Sequence, residues 1–110
     1  MLMRRRTILV VHDEFGAREG WAQIFSEEGF RVVRARDAVE ASKYLAIHRP
    51  TAAICKARLP GPDGAWVAEM VRLKGRATAL VLVDGQTDAE LLTTVRQAIG
   101  WNSQYAPAAH

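Results

Sequence analysis

Short apolar runs and amphipathic segments alternate along the chain. The apolar runs are about five residues long, and the first, TILVV, is continuously apolar and rich in β-branched side chains, which is typical of a strand covered on both faces of a sheet. We predict strands at residues 7–11, 31–35, 51–55 and 79–83 (TILVV, RVVRA, TAAIC and ALVLV). The second of these alternates between polar and apolar residues, so we place it nearer the sheet edge.

The segments between these runs carry apolar residues at helical spacing. We predict helices at residues 15–28, 38–48 and 64–74, and a last helix capped by Thr87 or Asp88. Asp37 is the expected N-cap of the second helix, because its carboxylate can accept a free backbone N–H. The apolar stripe of the last helix comprises Leu91, Leu92, Val95, Ala98 and Ile99.

Strands that alternate with helices of this length predict a single α/β domain with a parallel sheet and helices on both faces. In such sheets, functional residues gather at the carboxyl ends of the central strands. Here those ends carry ionisable side chains, namely His12, Asp13, Glu14, Lys56 and Asp84. We therefore expect a functional site at this edge of the sheet.

Composition narrows the class of protein. Of the 110 residues, 49% are hydrophobic and 25% are charged, as in ordinary globular proteins. No apolar run is long enough for a transmembrane helix, and the run after the basic N-terminus is too short for a signal peptide. We therefore expect a cytoplasmic protein that does not bind membranes. The single cysteine, Cys55, excludes an internal disulfide.

The net charge of +3 equals the contribution of three consecutive arginines, Arg4, Arg5 and Arg6. A basic terminus can attract nucleic acid, but it is more often a solvated chain end. No basic stripe with interleaved aromatic residues accompanies it, nor any helix-turn-helix or zinc signature. We expect no nucleic-acid partner unless these arginines provide the contact.

Three segments resemble a known family, and the middle one, REGWAQIFSEEGFRVVRARDAVEASKYL at residues 18–45, resembles its first helix, second strand and second helix. ILVVHDE, at residues 8–14, resembles the first strand and acidic pair of response-regulator receiver domains from two-component signalling. RPTAAICKARLPGPDG, at residues 49–64, resembles their third strand, phosphorylation site and following loop. The resemblance implies the family's flavodoxin-like (CheY-like) α/β fold, a doubly wound parallel sheet of five strands.

In that fold the fifth strand would lie in WNSQYAP, at residues 101–107. Because the sequence ends at His110, we expect the fifth helix to be missing or truncated. The expected organisation is a basic tail at residues 1–6, a receiver-like domain at 7–107 and a C-terminal tail at 108–110.

The resemblance also implies a phosphorylation site, from which this chain departs. The family has two Mg²⁺-binding acids after the first strand, a phosphoacceptor aspartate after the third, a hydroxyl residue after the fourth and a Lys-Pro pair after the fifth. The corresponding residues here are His12, Asp13, Lys56, Asp84 and Ala106, so only Asp13 is retained. An ammonium group cannot accept a phosphoryl group as aspartate does, nor ligate Mg²⁺.

We interpret these residues as a degenerate phosphorylation pocket that needs no metal or other cofactor. Lys56 is expected to lie between Asp13 and Asp84 as an internal substitute for the metal ion, which gives these three side chains a formal charge of −1. The alternative is a lysine that extends to the surface and contacts no carboxylate.

The other notable residues are expected to be structural. His12 is expected to be a hydrogen-bonded histidine at a strand end, rather than a pH sensor or metal ligand. Cys55 is expected to be a buried thiol rather than a redox sensor, and Trp21 and Trp66 to lie in the core or an interface. Prolines and glycines should stiffen the site loop, which comprises Leu59, Pro60, Gly61, Pro62, Asp63 and Gly64.

We predict a phosphorylation-independent pseudo-receiver that acts as a protein–protein interaction module in bacterial signal transduction and is not an enzyme. A missing fifth helix would expose apolar surface, so the expected partner is a signalling protein or a second copy in a homodimer. Two alternatives stay open. One is a receiver fragment of a larger response regulator whose output domain is lost, and the other is a small enzyme that uses Lys56 as nucleophile or base.

Overall fold

The computed structural model describes residues 6–74 and 77–99, and in these ranges strands and helices alternate as predicted. The described strands are β1 (Thr7–Val11), β2 (Arg31–Ala35), β3 (Ala52–Lys56) and β4 (Ala79–Val83). The described helices are α1 (Phe15–Glu27), α2 (Ala38–His48), α3 (Gly64–Lys74) and α4 (Asp88–Ala98).

The described strands form one parallel sheet in the order β2-β1-β3-β4. The order places β2 at an edge, as its alternating sequence predicts. Strand β3 begins and ends one residue later than predicted, because Lys56 still pairs with Val83 and the Ala57 N–H donates to the Val83 carbonyl at 2.9 Å. Lys56 is therefore the last residue of a strand rather than the first residue of a loop.

The two faces of the sheet are covered by different helices, which is the predicted doubly wound arrangement. One face carries the buried residues of α2 and α3, together with Leu9, Val11, Ala53 and Cys55 of the strands. The other face carries Phe25 of α1 and the buried residues of α4. Burial of both faces explains why β1 and β3 read as continuous apolar runs.

The helix ends follow from local side-chain chemistry. Asp37 caps α2 by accepting the Glu40 N–H, as predicted. At α4 it is Thr87 rather than Asp88 that caps the helix, since its hydroxyl and Glu90 form a reciprocal capping box. Ala98 was predicted to be part of the apolar stripe of α4, but it is exposed because the described face that packs on the sheet is centred on Leu91 and Val95.

Several predictions concern residues outside the described ranges. These are the fifth strand and helix, the N-terminal Arg4 and Arg5, the C-terminal tail, and Ala106 of the pocket. Within the described ranges, no helix combines the length and the apolar character needed to cross a membrane.

Candidate functional site

The strand register brings the first and third strands' carboxyl ends together. Val11 lies opposite Cys55 in the parallel pair of β1 and β3, so the residues that follow them meet at one edge of the sheet. The Lys56 Nζ donates to Asp13 Oδ1 at 3.1 Å. The side chains of Lys56 and Asp13 are 38% and 32% exposed, so the pair lies at the surface of the site and not in its interior.

The Lys56 ammonium determines the charge state of Asp13. Its hydrogen bond lowers the pKa of the Asp13 carboxyl below the ordinary value, and its positive charge acts in the same direction. Asp13 is therefore ionised at neutral pH. Because water reaches both partners, the pair contributes no more than about 1 kcal/mol to stability.

His12 is buried beneath this pair. Its Nδ1 accepts the Glu14 N–H at 3.0 Å, and its ring lies edge-on to Trp21 with 4.8 Å between the centroids. Burial lowers the pKa of His12, and the nearby Lys56 charge lowers it further. The imidazole is therefore neutral at pH 7, and its Nδ1 lone pair is used by the backbone of the following turn.

Arg18 supports the same turn and was missed by the sequence reasoning. Its guanidinium donates to the His12 carbonyl at 3.0 Å and lies 5.5 Å from the centre of the Phe15 ring. The signal was present, since the first turn of α1 places Arg18 above Glu14, whose carbonyl accepts the Arg18 N–H at 2.9 Å. An arginine so close to a strand end can reach back over it.

Asp84 does not join the pair, which corrects the predicted placement of Lys56 between two carboxylates. Among residues 6–74 and 77–99, Lys56 forms an ion pair with Asp13 and none with Asp84. The chain turns at Gly85, where φ is +87°, and the Asp84 N–H donates to Gln86 Oε1 at 2.9 Å. This loop is exposed, so the Asp84 carboxylate is solvated instead of paired.

The loop after β3 is held in place by packing. Leu59 is buried in the core, and Gly64 fits so closely that a Cβ atom there would lie 2.9 Å from the Ala57 carbonyl oxygen and from Leu82 Cδ2. Asp63 precedes the first residue of α3, and its carboxylate accepts the Ala65 N–H of the first turn at 3.1 Å. The loop therefore has one well-packed geometry.

The tip of this loop faces solvent. Pro60, Gly61 and Pro62 are exposed, and Gly61 has φ of +75°, a conformation that glycine adopts without strain. Each end of the loop is thus packed while its tip is accessible.

Cys55 points away from the ion pair into the core. Burial raises the pKa of its thiol to about 12, so the reactive thiolate is absent at neutral pH. The Sγ lies 3.3 Å from the Lys56 carbonyl oxygen, its hydrogen-bond acceptor.

The residues present do not suit the Mg²⁺ that the family resemblance implies. Mg²⁺ prefers several oxygen ligands in an octahedral arrangement. The described part of the chain contains no cluster of three or more His, Cys, Asp or Glu side chains that could hold a metal ion. Among the described residues Asp13 is the carboxylate that pairs with Lys56, and its Oδ1 already accepts a hydrogen bond from the ammonium.

The sequence matches the response regulator receiver domain family over residues 8–102. Sporulation initiation phosphotransferase F of Bacillus subtilis is 20% identical over 90 residues, which cover 82% of this chain and 73% of that protein. The transcriptional regulatory protein PdtaR of Mycobacterium tuberculosis is 29% identical over 94 residues, which cover 84% of this chain and 45% of PdtaR. The chain thus spans less than half the length of PdtaR.

A solved structure shares the fold. The receiver domain of sensor histidine kinase PA1611 from Pseudomonas aeruginosa, which coordinates a magnesium ion in its active-site cleft, matches with a TM-score of 0.78 and 20% identity. The match covers 88% of this chain and 99% of that domain, and it identifies the CheY-like, flavodoxin-like α/β fold. Because the family match extends over most of the sequence, this chain belongs to the response regulator receiver domain family, whose members are signalling modules and not classical enzymes.

Proposed function

We propose that the protein is a pseudo-receiver, a receiver-fold module that binds a protein partner in two-component-type signalling without being phosphorylated. The observation that carries the proposal is the ammonium of Lys56 at the end of β3, bonded to Asp13 at 3.1 Å. It stands at the position where the family resemblance implies the phosphoacceptor aspartate.

Aspartyl phosphorylation needs a carboxylate to attack the phosphoryl donor and a cation to offset the charge that develops on the phosphoryl oxygens. Lys56 provides no carboxylate, and its charge is already directed at Asp13. The neighbouring His12 is buried, and an imidazole is neutral or positively charged, so it supplies none of the negative charge that the family's first acid gives to a metal ion. The donor set therefore supports a fixed ion pair in place of a metal-dependent switch.

The alternative of a Lys56 nucleophile has less support. A catalytic lysine is activated by burial in an apolar pocket or by a second cation nearby. The Lys56 side chain is 38% exposed, and its closest charged neighbour is the Asp13 carboxylate. This environment favours an ion pair over covalent chemistry.

The proposed partner surface lies on the rim of the same site. Phe15 is 69% exposed at the start of α1, although a side chain of this size is usually buried, and the Arg18 guanidinium stacks on its ring. Aromatic residues and arginine are enriched at the centres of protein interfaces. The rim therefore favours a protein partner, and a second copy of the chain is one form that this partner could take.

The phosphorylation half of the proposal is tested with acetyl phosphate and Mg²⁺, followed by intact-mass spectrometry. We expect no phosphorylated species from the natural sequence. The matched control is Lys56→Asp, which supplies a carboxylate at the end of β3 without changing the surrounding loop. A stoichiometric phosphoryl adduct on the natural protein contradicts the proposal, whichever way the control behaves.

The binding half is tested by affinity capture with mass-spectrometric identification, and by sedimentation for self-association. Phe15→Ser should remove the captured partner or the dimer. Ile47→Ser is the control, because Ile47 is an apolar residue of nearly the same exposure, 68%, but lies in the last turn of α2, at the opposite end of the strands from the site. Equal loss with both variants would argue against a docking surface at the rim.

A further inference from the structure

A cavity of ≈ 280 Å³ lies at the amino ends of β3 and β4, whereas the ion pair lies at the carboxyl ends of the strands. It is open to solvent on one side and is bordered by the C-terminal ends of α2 and α3 and by the segments that lead into β3 and β4. Its apolar wall is formed by Leu45, Ala46, Pro50 and Ala77. This volume is just below the range of about 300–1,000 Å³ that is typical of drug-sized ligands, so it suits a smaller molecule.

Arg49 and Lys74 line the cavity, and within residues 6–74 and 77–99 no acidic side chain does. Neither Arg49 nor Lys74 belongs to an ion pair among the residues that the structure describes, although other surface arginines of the chain pair with carboxylates. The Lys74 Nζ donates to Ser42 Oγ at 3.0 Å, which ties it to α2. An ammonium has three donors, so two of them remain for a ligand.

The backbone of Arg49 is unusual. With φ of 46° and ψ of 60°, it is in the left-handed region, and no other non-glycine residue in the described ranges has a positive φ. This position follows the last residue of α2, where glycine is the common choice because it has no Cβ to clash. An arginine at a glycine-like position carries a backbone cost that a functional role of its guanidinium would offset.

We propose that this cavity binds a small organic anion. The apolar body of the ligand would lie against Pro50 and its neighbours, and a carboxylate or phosphate head would be held by Arg49 and Lys74. A guanidinium matches either head group because it presents two parallel N–H donors. Thr78 adds polarity to the wall, but its hydroxyl already donates to the Pro50 carbonyl at 2.6 Å.

Both cations also lie at helix C-terminal ends, where positive charge is favourable without any ligand. The experiment must therefore detect binding itself. The full chain is titrated with benzoate, phenyl phosphate and the uncharged benzyl alcohol while backbone amide NMR signals are followed. We expect saturable shifts around the cavity with the anions and none with the alcohol. The stronger of the two anions identifies the head group.

Arg49→Gln and Lys74→Gln should each weaken binding at least about tenfold, because each removes a charge-assisted contact. Lys43→Gln is the control, since Lys43 is an exposed lysine of α2 that does not line the cavity, and it should leave affinity unchanged. Arg49→Gly adds a second measurement, because it should raise the melting temperature while weakening binding as much as Arg49→Gln does.

Absence of saturable shifts with both anions would overturn the proposal. So would equal binding of benzyl alcohol, or affinity that survives both glutamine substitutions. Since no phosphodonor or partner protein takes part in this titration, its outcome is independent of the pseudo-receiver proposal.

Discussion

The loops after β3 and β4 both lie at the carboxyl ends of the strands, yet they differ in burial. The loop after β3 is packed against the core, whereas the loop after β4 is exposed to solvent. The loop after β3 buries Leu59, encloses Gly64 against Leu82 and carries Lys56, which is bonded to Asp13. In the loop after β4, every residue from 84 to 90 is exposed. Asp84 accordingly has no ion pair among the described residues.

This difference in burial determines how strongly each charged residue supports a degenerate phosphorylation pocket. Where the backbone is fixed by buried neighbours, a charged substitution such as Lys56 must find its partner within a narrow volume, and Asp13 is within reach. In an exposed loop, water can hydrate the carboxylate of an acid such as Asp84. The presence of that acid is then no evidence for a specific ion pair. The proposal for function therefore depends on the β3 side of the site.

The largest expected effect on stability comes from a substitution that disrupts the packing of the loop after β3. Gly64→Ala should destabilise the fold by about 2–3 kcal/mol, because the added Cβ would lie 2.9 Å from a backbone carbonyl oxygen that cannot easily move. The free energy of unfolding is measured by urea denaturation. Gly20→Ala in α1 is the control, since a Cβ there meets nothing within 4 Å and should stabilise the helix by about 0.5–1 kcal/mol. Equal effects from the two substitutions would mean that the loop is not tightly packed.

The next effect concerns His12, which anchors the β1 side of the packed region. Its pKa in the folded protein is lowered from 6.5, mainly by burial, so between these two values the unfolded chain binds more protons. Stability from this group is complete above pH 6.5 and is lost as pH falls through the lower, folded pKa. The melting temperature should therefore decrease as the pH is lowered from 7.5 to 5.

The groups around His12 act in different directions on that decline. Lys56 and Arg18 oppose protonation of the imidazole, whereas Asp13 and Glu14 favour it. His12→Gln should remove the decline, while His48→Gln on α2 should retain it. A decline that persists undiminished in His12→Gln would assign the pH dependence to another group.

Most of the secondary structure was predictable because it depends on local periodicity. The starts of α1, α2 and α3 and the bounds of β1, β2 and β4 lie where apolar spacing, Asp37 and the polar segments predict them, whereas α1 ends at Glu27, one residue before the predicted end. The end of β3 was wrong by one residue because Lys56 pairs with Val83, and pairing with a distant strand is not visible in local sequence. The predicted fifth strand lies outside the described residues and stays a prediction.

The candidate site was predictable only in part. Adjacent parallel strands end at one edge, so the meeting of Asp13 and Lys56 could be anticipated from topology. The solvated turn at Gly85 could not, because it depends on a loop conformation that few residues restrict. The cavity beside Arg49 was also invisible, since it requires two helix ends to be placed side by side.

A smaller effect measures the ion pair directly. A double-mutant cycle of Lys56→Met and Asp13→Asn should give a coupling energy of about 0.5–1 kcal/mol, in the range of surface pairs. The coupling should fall in 1 M salt, where the screening length is about 3 Å. The control is a second cycle that combines Lys43→Met with Asp13→Asn. Lys43 is an exposed lysine of α2, so this cycle should show no coupling energy. A coupling well above this range would mean that the pair is more desolvated than its exposure indicates.

The smallest expected effect completes the comparison of the two loops. Asp84→Asn should change the free energy of unfolding by less than about 0.5 kcal/mol, because an exposed carboxylate without an ion pair loses little when it becomes an amide. In combination with Lys56→Met it should show no coupling, in contrast to Asp13→Asn. Measurable coupling between Lys56 and Asp84 would place the β4 loop closer to the ammonium in solution, and the site would then contain two carboxylates around one lysine.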